Sequence, residues 1–250
     1  GGLPTPLVST EHGIAADDRL YNRGRAKALG RRALHHARSR RFDALIAVSE
    51  STKREMLRAW RPTTPISVVL NGVDRPEITR HEPGLRFLSL ARLAPEKRIP
   101  DTLRAFARLG SDLSPATLTV AGEGPDRMAL VGLAKELGIE DRVTFPGFLD
   151  AQGALAHHDV MVQLSAWENA SYSVLDAVAH GLGVVATPVG GNPEILPARC
   201  MAEAADVARV ADLMREQAFD VEKRPELPPH WPSVSDMAAQ IAEVYERVLR

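Results

Sequence analysis

The chain has 250 residues, of which 44% are hydrophobic, and its formal net charge at pH 7 is -1. This composition is typical of a globular protein, with room for one large domain or two small ones. The near-neutral charge gives no global field that would attract nucleic acid, so we expect no nucleic-acid partner. The single cysteine, Cys200, excludes an intrachain disulfide. No apolar run approaches the roughly 20 residues that cross a bilayer, and residues 1–13 lack a signal-peptide pattern, so we expect a cytoplasmic protein.

The first part of the chain predicts an incomplete unit of strands and helices. The runs TPLVSTEHG (5–13) and FDALIAVSE (42–50) are strand-like and flank a long helical segment, and ISVVLNGVD (66–74) predicts a third strand. The segment 73–84, with its prolines and scattered charges, is the predicted linker. Residues 1–76 therefore predict only a partial lobe, since a nucleotide-binding lobe usually takes on the order of 100 to 150 residues.

A partial lobe has a physical cost that needs an explanation. A parallel sheet without its leading strands would expose edges and apolar faces. The chain is therefore expected to be a fragment, an incomplete form of a longer protein, or half of a two-chain assembly. In each case an N-terminal segment or a partner chain would complete the lobe.

From Leu85 onward, short β-branched runs alternate with helical patterns. Such repetition predicts an α/β fold, with a parallel sheet covered by helices on both faces and ligands at the carboxyl ends of the strands. We assign this lobe to residues 77–231. The predicted strands lie in 85–93, 116–124, 143–149, 160–165 and 183–191, and the predicted helices are 99–109, 127–137, 153–157, 171–181 and 204–217.

The end of the chain predicts a closing helix. A proline-rich connection, RPELPPHWP (224–232), leads to an amphipathic pattern over 234–249. We expect the closing segment 232–250 to pack back toward the N-terminal lobe. The apolar stripe of the helix consists of Met237, Ile241, Val244, Tyr245 and Val248.

The most informative segment of the chain is 164–194, where a strand runs into a helix. A buried strand over 160–165 is followed by a helix that has Asn169 or Ser171 as its N-cap and Gly181 at its end. The start of such a helix presents unpaired N–H groups and the positive end of the helix dipole. This arrangement favours a bound phosphate.

Two carboxylates surround the start of this helix. Glu168 precedes the helix, and Asp176 lies within it between apolar residues. The carboxylate of Asp176 must reach solvent, a partner or a ligand, because burying it unpaired is costly. The pair therefore suits a polyhydroxylated, phosphorylated ligand.

Two cations follow the first strand of the C-terminal lobe. Arg92 lies at the end of that strand and Lys97 in the loop after it. Both side chains offer charge-assisted hydrogen bonds to a diphosphate and would stabilise it as a leaving group. The alternative is a surface arginine and a lysine that pairs with Glu96.

Seven short motifs follow one another along nearly the whole chain in the order and spacing of a known family. They resemble those of the retaining GT-B glycosyltransferases of the GT4 family. The resemblance implies two Rossmann-like lobes that face a cleft, with the nucleotide sugar on the C-terminal lobe and the acceptor on the N-terminal lobe. The motifs are AVSESTKREM (47–56), VLNGVD (69–74), LARLAPEKR (90–98), VAGEGPD (120–126), VTFPGFL (143–149), SAWENASYSVLDAVAHG (165–181) and VVATPVGGNPEIL (184–196).

The resemblance implies roles for five charged or ionisable residues. Arg92 and Lys97 match the family's diphosphate-binding arginine and lysine. Glu168 matches the first glutamate of its E-x7-E motif, near the donor sugar, and His12 matches a histidine that faces the donor sugar. Asp176 stands where the second glutamate, which holds the ribose hydroxyls, is expected. Because Asp is one methylene shorter than Glu, that contact is expected to weaken or shift.

The resemblance also implies roles for uncharged residues. The loop formed by Asn169, Ala170 and Ser171 is where backbone N–H groups of the family meet the phosphate and the sugar. A Phe-Gly pair of the relatives is replaced here by Ala170-Ser171 or by Ser171-Tyr172, so donor-sugar preference is the least transferable property.

A second group of uncharged residues is expected around the nucleotide. Gly122 and Gly124 would let the backbone approach the nucleotide, and Phe148 would form part of the wall around the base. The alternative for the two glycines is an ordinary turn, which is what an isolated G-x-G pattern most often indicates.

The function that the resemblance implies is a retaining transfer of a hexosyl-type sugar from a nucleoside-diphosphate sugar to an acceptor hydroxyl. The donor is a substrate, and no cofactor or metal is expected. The adjacent histidines at 35–36 and 157–158 have no acidic or cysteine partner at ligand spacing, so we expect surface residues there. Two alternatives stay open: another GT-B chemistry such as a nucleotide-sugar epimerase, and a non-catalytic or partner-dependent nucleotide-sugar-binding module.

The segment 23–41 is strongly basic, with eight Arg or Lys residues and no acid. It predicts either a peripheral contact with anionic lipid or an anionic acceptor, or a solvated helix face. The helix-face alternative is supported by a thin apolar stripe and by two glycines that weaken the helix.

Overall fold

The computed structural model describes residues 5–12, 34–76, 82–110, 113 and 115–250. The chain divides into two units. The first unit comprises residues 1–74, 167–170 and 230–250, and the second comprises residues 75–166 and 171–229.

The described strands and helices are numbered in chain order. The strands are β1 (Val8–Glu11), β2 (Ala44–Ala47), β3 (Ile66–Val68), β4 (Arg86–Leu90), β5 (Thr117–Ala121), β6 (Val143–Gly147), β7 (Val160–Gln163) and β8 (Gly183–Ala186). The helices are α1 (Glu50–Trp60), α2 (Ile99–Ala107), α3 (Arg127–Glu136), α4 (Ala151–Ala156), α5 (Tyr172–Ala179), α6 (Asn192–Ile195), α7 (Val207–Phe219) and α8 (Val234–Leu249). Residues 34–39 are also helical.

The first unit is built on a parallel sheet with the strand order β1-β2-β3. All four residues of β2 are buried because both faces of the strand are covered. Leu45 and Ala47 pack against Met56 and Trp60 of α1. The alternate residues of β2 point to the other face, where Ala44 and Ile46 pack against α8.

Helix α8 has the bounds predicted for the closing helix. It begins with a capping box, in which the side chains of Ser233 and Asp236 each accept a hydrogen bond from the other's backbone N–H. Four of the five predicted stripe residues pack in the apolar cluster on β2. The prediction was wrong for Tyr245, which is 47% exposed, because the apolar contact face is narrower than the sequence pattern.

The second unit is built on a parallel sheet with the strand order β6-β5-β4-β7-β8. The chain moves outward from β4 to β6, then returns to the other side of β4 and continues through β7 to β8. The loops after β4 and β7 therefore leave the carboxyl edge of the sheet in opposite directions. In sheets of this kind the crevice at such a switch point is the preferred ligand site.

Most of the predicted elements of the second unit are present, with shifted helix ends. Helix α4 begins at Ala151 instead of residue 153 because the Asp150 side chain accepts a hydrogen bond from Gly153 N at 2.8 Å. Helix α7 begins at Val207 instead of residue 204 because Asp206 caps it in the same way. Each aspartate satisfies a backbone N–H that the helix itself leaves unpaired.

The predicted linker and basic segment are only partly covered by the structure. Residues 77–81 of the linker and residues 13–33, which include most of the basic segment 23–41, lie outside the described residues. Every helix within the described ranges is too short or too polar to cross a membrane.

A buried carboxylate fixes the amino ends of β4 and β7. Asp159 precedes β7, is 2% exposed, and accepts hydrogen bonds from the Arg86 side chain at 2.9 and 2.7 Å. The backbone N–H of Arg86 donates to the same carboxylate at 2.9 Å. Burial is the largest single influence on the pKa of Asp159 and raises it, but the hydrogen bonds and charge of Arg86 together hold that pKa below its ordinary value.

We expect Asp159→Ala to lower the free energy of unfolding at pH 7 by about 2–4 kcal/mol, because the backbone N–H of Arg86 loses its acceptor. The exposed Arg86 side chain can return to water, which limits the loss. The depressed pKa means that the ionised carboxylate stabilises the fold above its unfolded pKa of about 3.9 and loses this effect as pH falls through its folded pKa.

Urea unfolding at pH 7 and at about pH 3 tests this pH dependence, because the difference between Asp159→Asn and the wild type should shrink at the lower pH. Asp141→Asn, at an exposed position, is the control. Equal stability of the Asp159 variants and the wild type at pH 7 would contradict the assigned role.

Candidate functional site

A cavity of about 440 Å³ opens at the carboxyl edge of the second sheet. It brings together four residues that the sequence predicted as binding residues: Arg92, Gly122, Phe148 and Asp176. They come from the segments that follow β4, β5 and β6 and from α5. The full lining is Leu90, Ala91, Arg92, Ala121, Gly122, Glu123, Phe148, Leu149, Ala151, Tyr172, Ser173 and Asp176.

Ser171 caps the helix that carries Asp176. Its hydroxyl accepts a hydrogen bond from Val174 N at 3.4 Å, and the side chain of Gln163 donates to the same oxygen at 2.7 Å. Of the two predicted caps, Ser171 is therefore the one used. Because the hydroxyl serves the cap, the groups that remain for an anion at this end of α5 are the backbone N–H groups of its first turn.

Asp176 is a half-buried carboxylate on the cavity wall. Burial raises its pKa above the ordinary value, and the charge of nearby His180 only partly opposes this effect. No side chain or backbone group in the described ranges makes a hydrogen bond or ion pair with the carboxylate. A ligand hydroxyl that donates to Asp176 would supply the missing hydrogen bond.

The two predicted cations have different surroundings. The Arg92 side chain lines the cavity and pairs with the carboxylate of Glu96, whereas Lys97 ends a 3₁₀ turn and is not among the lining residues. Burial is the largest single influence on the pKa of Glu96 and raises it. A backbone hydrogen bond, the hydrogen bond from Arg92 and the charges of Arg92 and Lys97 together hold that pKa below its ordinary value. The backbone carbonyl oxygen of Glu96 accepts a hydrogen bond from Ala166 N at 2.7 Å. This bond connects the loops after β4 and β7.

The two predicted glycines have a structural explanation within the protein. A Cβ atom on Gly122 would lie 2.0 Å from the carbonyl oxygen of Ala91, and one on Gly124 would lie 2.2 Å from that of Leu93. Gly122 also has a φ of +133°, which only glycine adopts easily. The loop after β5 thus packs directly on the backbone after β4, where Leu93 N donates to Glu123 O at 2.8 Å.

A separate group of predicted residues lies in the first unit. The side chain of Asn169 donates a hydrogen bond to the carbonyl oxygen of His12. Asn71 donates to the carbonyl oxygen of Ala170 at 3.0 Å. Glu168 belongs to the same segment, 167–170. The structure therefore brings His12 and Asn169 together through the backbone of the histidine, and its ring is not used in this contact.

The expectation of surface histidines was wrong for His35, His36 and His158, which are partly buried, whereas His157 is exposed as expected. The His35 ring stacks on Trp60 with centroids 4.9 Å apart, and Nδ1 of His36 lies 2.7 Å from the Trp60 carbonyl oxygen. The His158 ring lies between Ala154 O at 2.6 Å and Thr119 Oγ1 at 2.9 Å, and its burial lowers its pKa. Within the described ranges, no group of three or more His, Cys, Asp or Glu residues is placed to hold a metal ion.

Sequence reasoning missed Tyr172 and Glu123 as lining residues. The signal for Tyr172 was available: it precedes Asp176 by four residues in α5, and residues at this spacing share one helix face. A cavity-facing carboxylate therefore predicts that the residue one turn earlier faces the same cavity.

The chain has the GT-B-type α/β fold that the sequence predicts. The crystal structure of Anabaena Alr3699/HepE in complex with UDP and glucose matches 96% of this chain and 71% of its own chain, with a TM-score of 0.81 at 20% identity. At 20% identity, this structural similarity is evidence for the fold and not for the function.

The chain belongs to the glycosyl transferases group 1 family, whose profile matches residues 73–214. The profile of Glycosyltransferase Family 4 matches residues 2–76. N-acetyl-alpha-D-glucosaminyl L-malate synthase of Bacillus anthracis is 31% identical over 201 residues, which cover 74% of this chain and 51% of that protein.

A second relative is the GDP-mannose-dependent alpha-(1-6)-phosphatidylinositol monomannoside mannosyltransferase of Mycobacterium tuberculosis (strain CDC 1551 / Oshkosh). It is 28% identical over 249 residues, which cover 87% of this chain and 65% of that protein. The chain thus spans 51% and 65% of the lengths of these two relatives.

We expect Gly122→Ala to lower the free energy of unfolding by more than about 2 kcal/mol, because the new Cβ would collide with a backbone oxygen at a φ that alanine resists. Gly132→Ala is the matched control: it lies in α3 with no atom within 4 Å of its added Cβ, so it should stabilise the helix by about 0.5–1 kcal/mol. Thermal and urea unfolding of both variants check the pair, and a neutral Gly122→Ala would contradict the close approach.

We expect Asp176→Asn to raise the melting temperature at pH 7 by roughly 1–4 °C. The raised pKa means that the folded protein holds this proton more tightly than the unfolded chain does. The ionised carboxylate therefore destabilises the fold above its folded pKa, and the effect disappears as pH falls below the unfolded pKa of about 3.9.

Thermal unfolding of the Asp176→Asn variant and the wild type at pH 7 and at about pH 3.5 measures this difference. Asp212→Asn, whose side chain is 63% exposed, should leave the melting temperature unchanged at pH 7. A lower melting temperature for Asp176→Asn than for the wild type at pH 7 would show that the carboxylate is stabilising instead.

Proposed function

We propose that the chain forms the nucleotide-sugar-binding part of a glycosyltransferase that moves a sugar from a nucleoside-diphosphate sugar to an acceptor hydroxyl. The observation that carries this proposal is the cavity at the switch point of the second sheet. It offers an aromatic ring at Phe148, a carboxylate without a hydrogen bond at Asp176, and a guanidinium at Arg92. These three groups suit a base, a sugar with free hydroxyls, and a phosphate.

The known relatives support a nucleotide-sugar donor. The name of the mycobacterial relative gives GDP-mannose as its donor, and the structure of Alr3699/HepE holds UDP and glucose. The two nucleotides differ, so the base that this chain binds is open. Family membership and the polar groups of the cavity favour binding of the part that these donors share. That part is a ribose and a diphosphate that carries a sugar.

In the proposed binding mode, Asp176 accepts hydrogen bonds from the ribose hydroxyls. This assignment explains why a half-buried carboxylate is kept without a hydrogen-bond partner in the described part of the protein. Its shorter side chain, compared with the glutamate of the family, would draw the ribose closer to α5 or leave room for a bridging water molecule.

The diphosphate is proposed to bind at Arg92, Lys97 and the first turn of α5. The guanidinium and the ammonium supply charge-assisted hydrogen bonds, and the backbone N–H groups of the helix start add the positive end of its dipole. By the family resemblance, we propose that the backbone at Gly122 and Gly124 approaches the nucleotide and that backbone N–H groups of Asn169, Ala170 and Ser171 meet the phosphate and the sugar. The roles of Glu168 and His12 in orienting the donor sugar follow from the family resemblance.

The proposed reaction retains the configuration of the transferred sugar. The bond between the anomeric carbon and the diphosphate oxygen breaks, a bond from the acceptor oxygen to the anomeric carbon forms on the same face, and the departing phosphate takes the acceptor's proton. Charge develops on the leaving diphosphate, and the positive groups that hold it stabilise the transition state more than the ground state. No cofactor and no metal ion are part of this proposal.

The cellular location of the acceptor is proposed from the name of a relative and from the basic segment of this chain. The name of the mycobacterial relative contains phosphatidylinositol monomannoside, which is a membrane lipid. This name supports contact with a membrane, and we propose that a cytoplasmic protein makes that contact through its basic segment, 23–41. The partial first lobe, 1–76, would then belong to the acceptor side, and 77–231 to the donor side.

A binding module without catalysis is the second candidate. The observation that favours it is length, because the chain spans only 51% of the Bacillus anthracis relative. Such a module would bind the donor but would need a further segment or a partner chain for turnover. Donor binding and product formation therefore have to be measured separately.

We expect UDP, GDP or ADP to raise the melting temperature of the protein, because binding to the folded state stabilises it. Lys97→Ala should weaken the affinity for that nucleotide by roughly 10–100-fold, since one charge-assisted hydrogen bond to the diphosphate is lost. Lys135→Ala, an exposed lysine on α3, is the matched control and should bind as the wild type does. Isothermal titration calorimetry measures the three affinities.

Candidate donors and acceptors then separate the three functions. Free nucleoside diphosphate together with a glycosylated product supports the transferase, and an interconverted donor without transfer would show an epimerase instead. Donor binding without either product would favour the module. No response to any of the three nucleotides would overturn the assignment of the donor site.

A further inference from the structure

Tyr172 is the first residue of α5 and one of the two aromatic side chains among the lining residues of the 440 Å³ cavity. The other is Phe148, which is 83% exposed, while Tyr172 is 48% exposed. Aromatic residues make up only 5% of the chain. Two exposed aromatic rings on one cavity are therefore unusual, and they leave apolar surface in water that a planar ligand would cover.

The Tyr172 side chain has neither a hydrogen-bond partner nor a capping role in the part of the chain that the structure describes. Its hydroxyl makes no hydrogen bond within the described ranges, and its ring is not part of the large hydrophobic cluster around Phe87 and Leu103. The cap of α5 is supplied by Ser171. With its ring about half exposed on the cavity wall, Tyr172 has the environment of a ligand-contacting residue.

The position of Tyr172 relative to Asp176 adds a second constraint. The two residues are four apart in α5, so their side chains lie on one helix face. They are also close enough to interact: burial and then the charge of Asp176 raise the pKa of the tyrosine. If the hydroxyls of a ligand bind Asp176, the part of the ligand next to those hydroxyls would therefore lie beside the tyrosine ring.

We infer that Tyr172 is a nucleobase-stacking residue, and that the base of the donor packs on the rings of Tyr172 and Phe148. This inference rests on the proposed function, since it takes a nucleoside diphosphate as the ligand. The base is bonded to the ribose, so a ribose on Asp176 brings the base within reach of the aromatic rings that line the same cavity. Stacking acts on the flat face that every base has, so the tyrosine contributes to affinity without selecting one base.

The test compares Tyr172→Phe, which keeps the ring, with Tyr172→Leu, which removes it. Tyr245→Leu is the matched control, because Tyr245 is exposed to the same degree on α8. Isothermal titration calorimetry with UDP, GDP, ADP and inorganic pyrophosphate measures the affinities. We expect Tyr172→Leu to weaken all nucleotides that bind by roughly tenfold and to leave pyrophosphate unchanged. Tyr172→Phe and Tyr245→Leu should bind as the wild type does.

The outcomes separate this inference from the proposed function. If the wild type binds no nucleotide, the proposed function itself fails. If the wild type binds and Tyr172→Leu binds equally well, the stacking role is overturned while the donor site stands. An equal loss of pyrophosphate affinity would show that the variant damages the helix start, and this result also overturns the stacking role.

A second measurement needs no substitution that removes the ring. The chain has only three tyrosines, so fluorotyrosine labelling gives three ¹⁹F signals, and the Tyr172→Phe variant identifies the one from residue 172. We expect that signal to shift clearly further with nucleotide than with pyrophosphate, which binds near the start of α5 but offers no base to stack on the ring. An unchanged signal in the presence of saturating nucleotide would overturn the inference even if Tyr172→Leu failed to fold.

Discussion

The strand order of the second sheet is the constraint on which the candidate site depends. Because β4 lies between β5 and β7, the chain leaves the carboxyl edge of the sheet in opposite directions after β4 and β7. Helices cover both faces of a parallel sheet, so side chains can surround a ligand only where such connections diverge. The segment that carries Arg92 and the helix that carries Asp176 follow these two strands. Their meeting at one cavity is therefore a consequence of topology and not of closeness in sequence.

The amino and carboxyl edges of the second sheet each carry an aspartate, and the two aspartates have opposite environments. Asp159, at the amino edge, is almost fully buried, but three hydrogen bonds from Arg86 hold its pKa below the ordinary value. Asp176, at the carboxyl edge, is less buried, yet its pKa is raised because no donor in the described ranges compensates for its burial. By linkage, ionisation of the first carboxylate is expected to stabilise the fold and ionisation of the second to destabilise it. Such an asymmetry is expected between an acid that supports the fold and an acid at a candidate ligand site.

The sequence predicts the second unit well because its strands are buried on both faces and therefore appear as continuous β-branched runs. It also predicts the bounds of α8 and, as one of two alternatives, the Ser171 cap, since these are local signals. The strand order and the contact of Asn169 with His12, which is 157 residues away, depend on tertiary structure that no local pattern encodes. Helix α1 was missed because residues 47–56 were interpreted only as a family motif, although Ser49 caps the helix through Thr52 N at 2.9 Å.

The glycines and the side chains of the candidate site support ligand binding to different degrees. Gly122 and Gly124 are needed where the backbone after β5 meets the backbone after β4, so their presence follows from packing whether or not a nucleotide binds. A G-x-G pattern at this place is therefore weak support for nucleotide binding. Asp176 and Tyr172 have no comparable structural reason, because neither makes a side-chain hydrogen bond in the described ranges and both line the cavity. Since an uncompensated carboxylate and an exposed ring both cost free energy in the unliganded protein, their combination on one helix face is the stronger argument for a ligand.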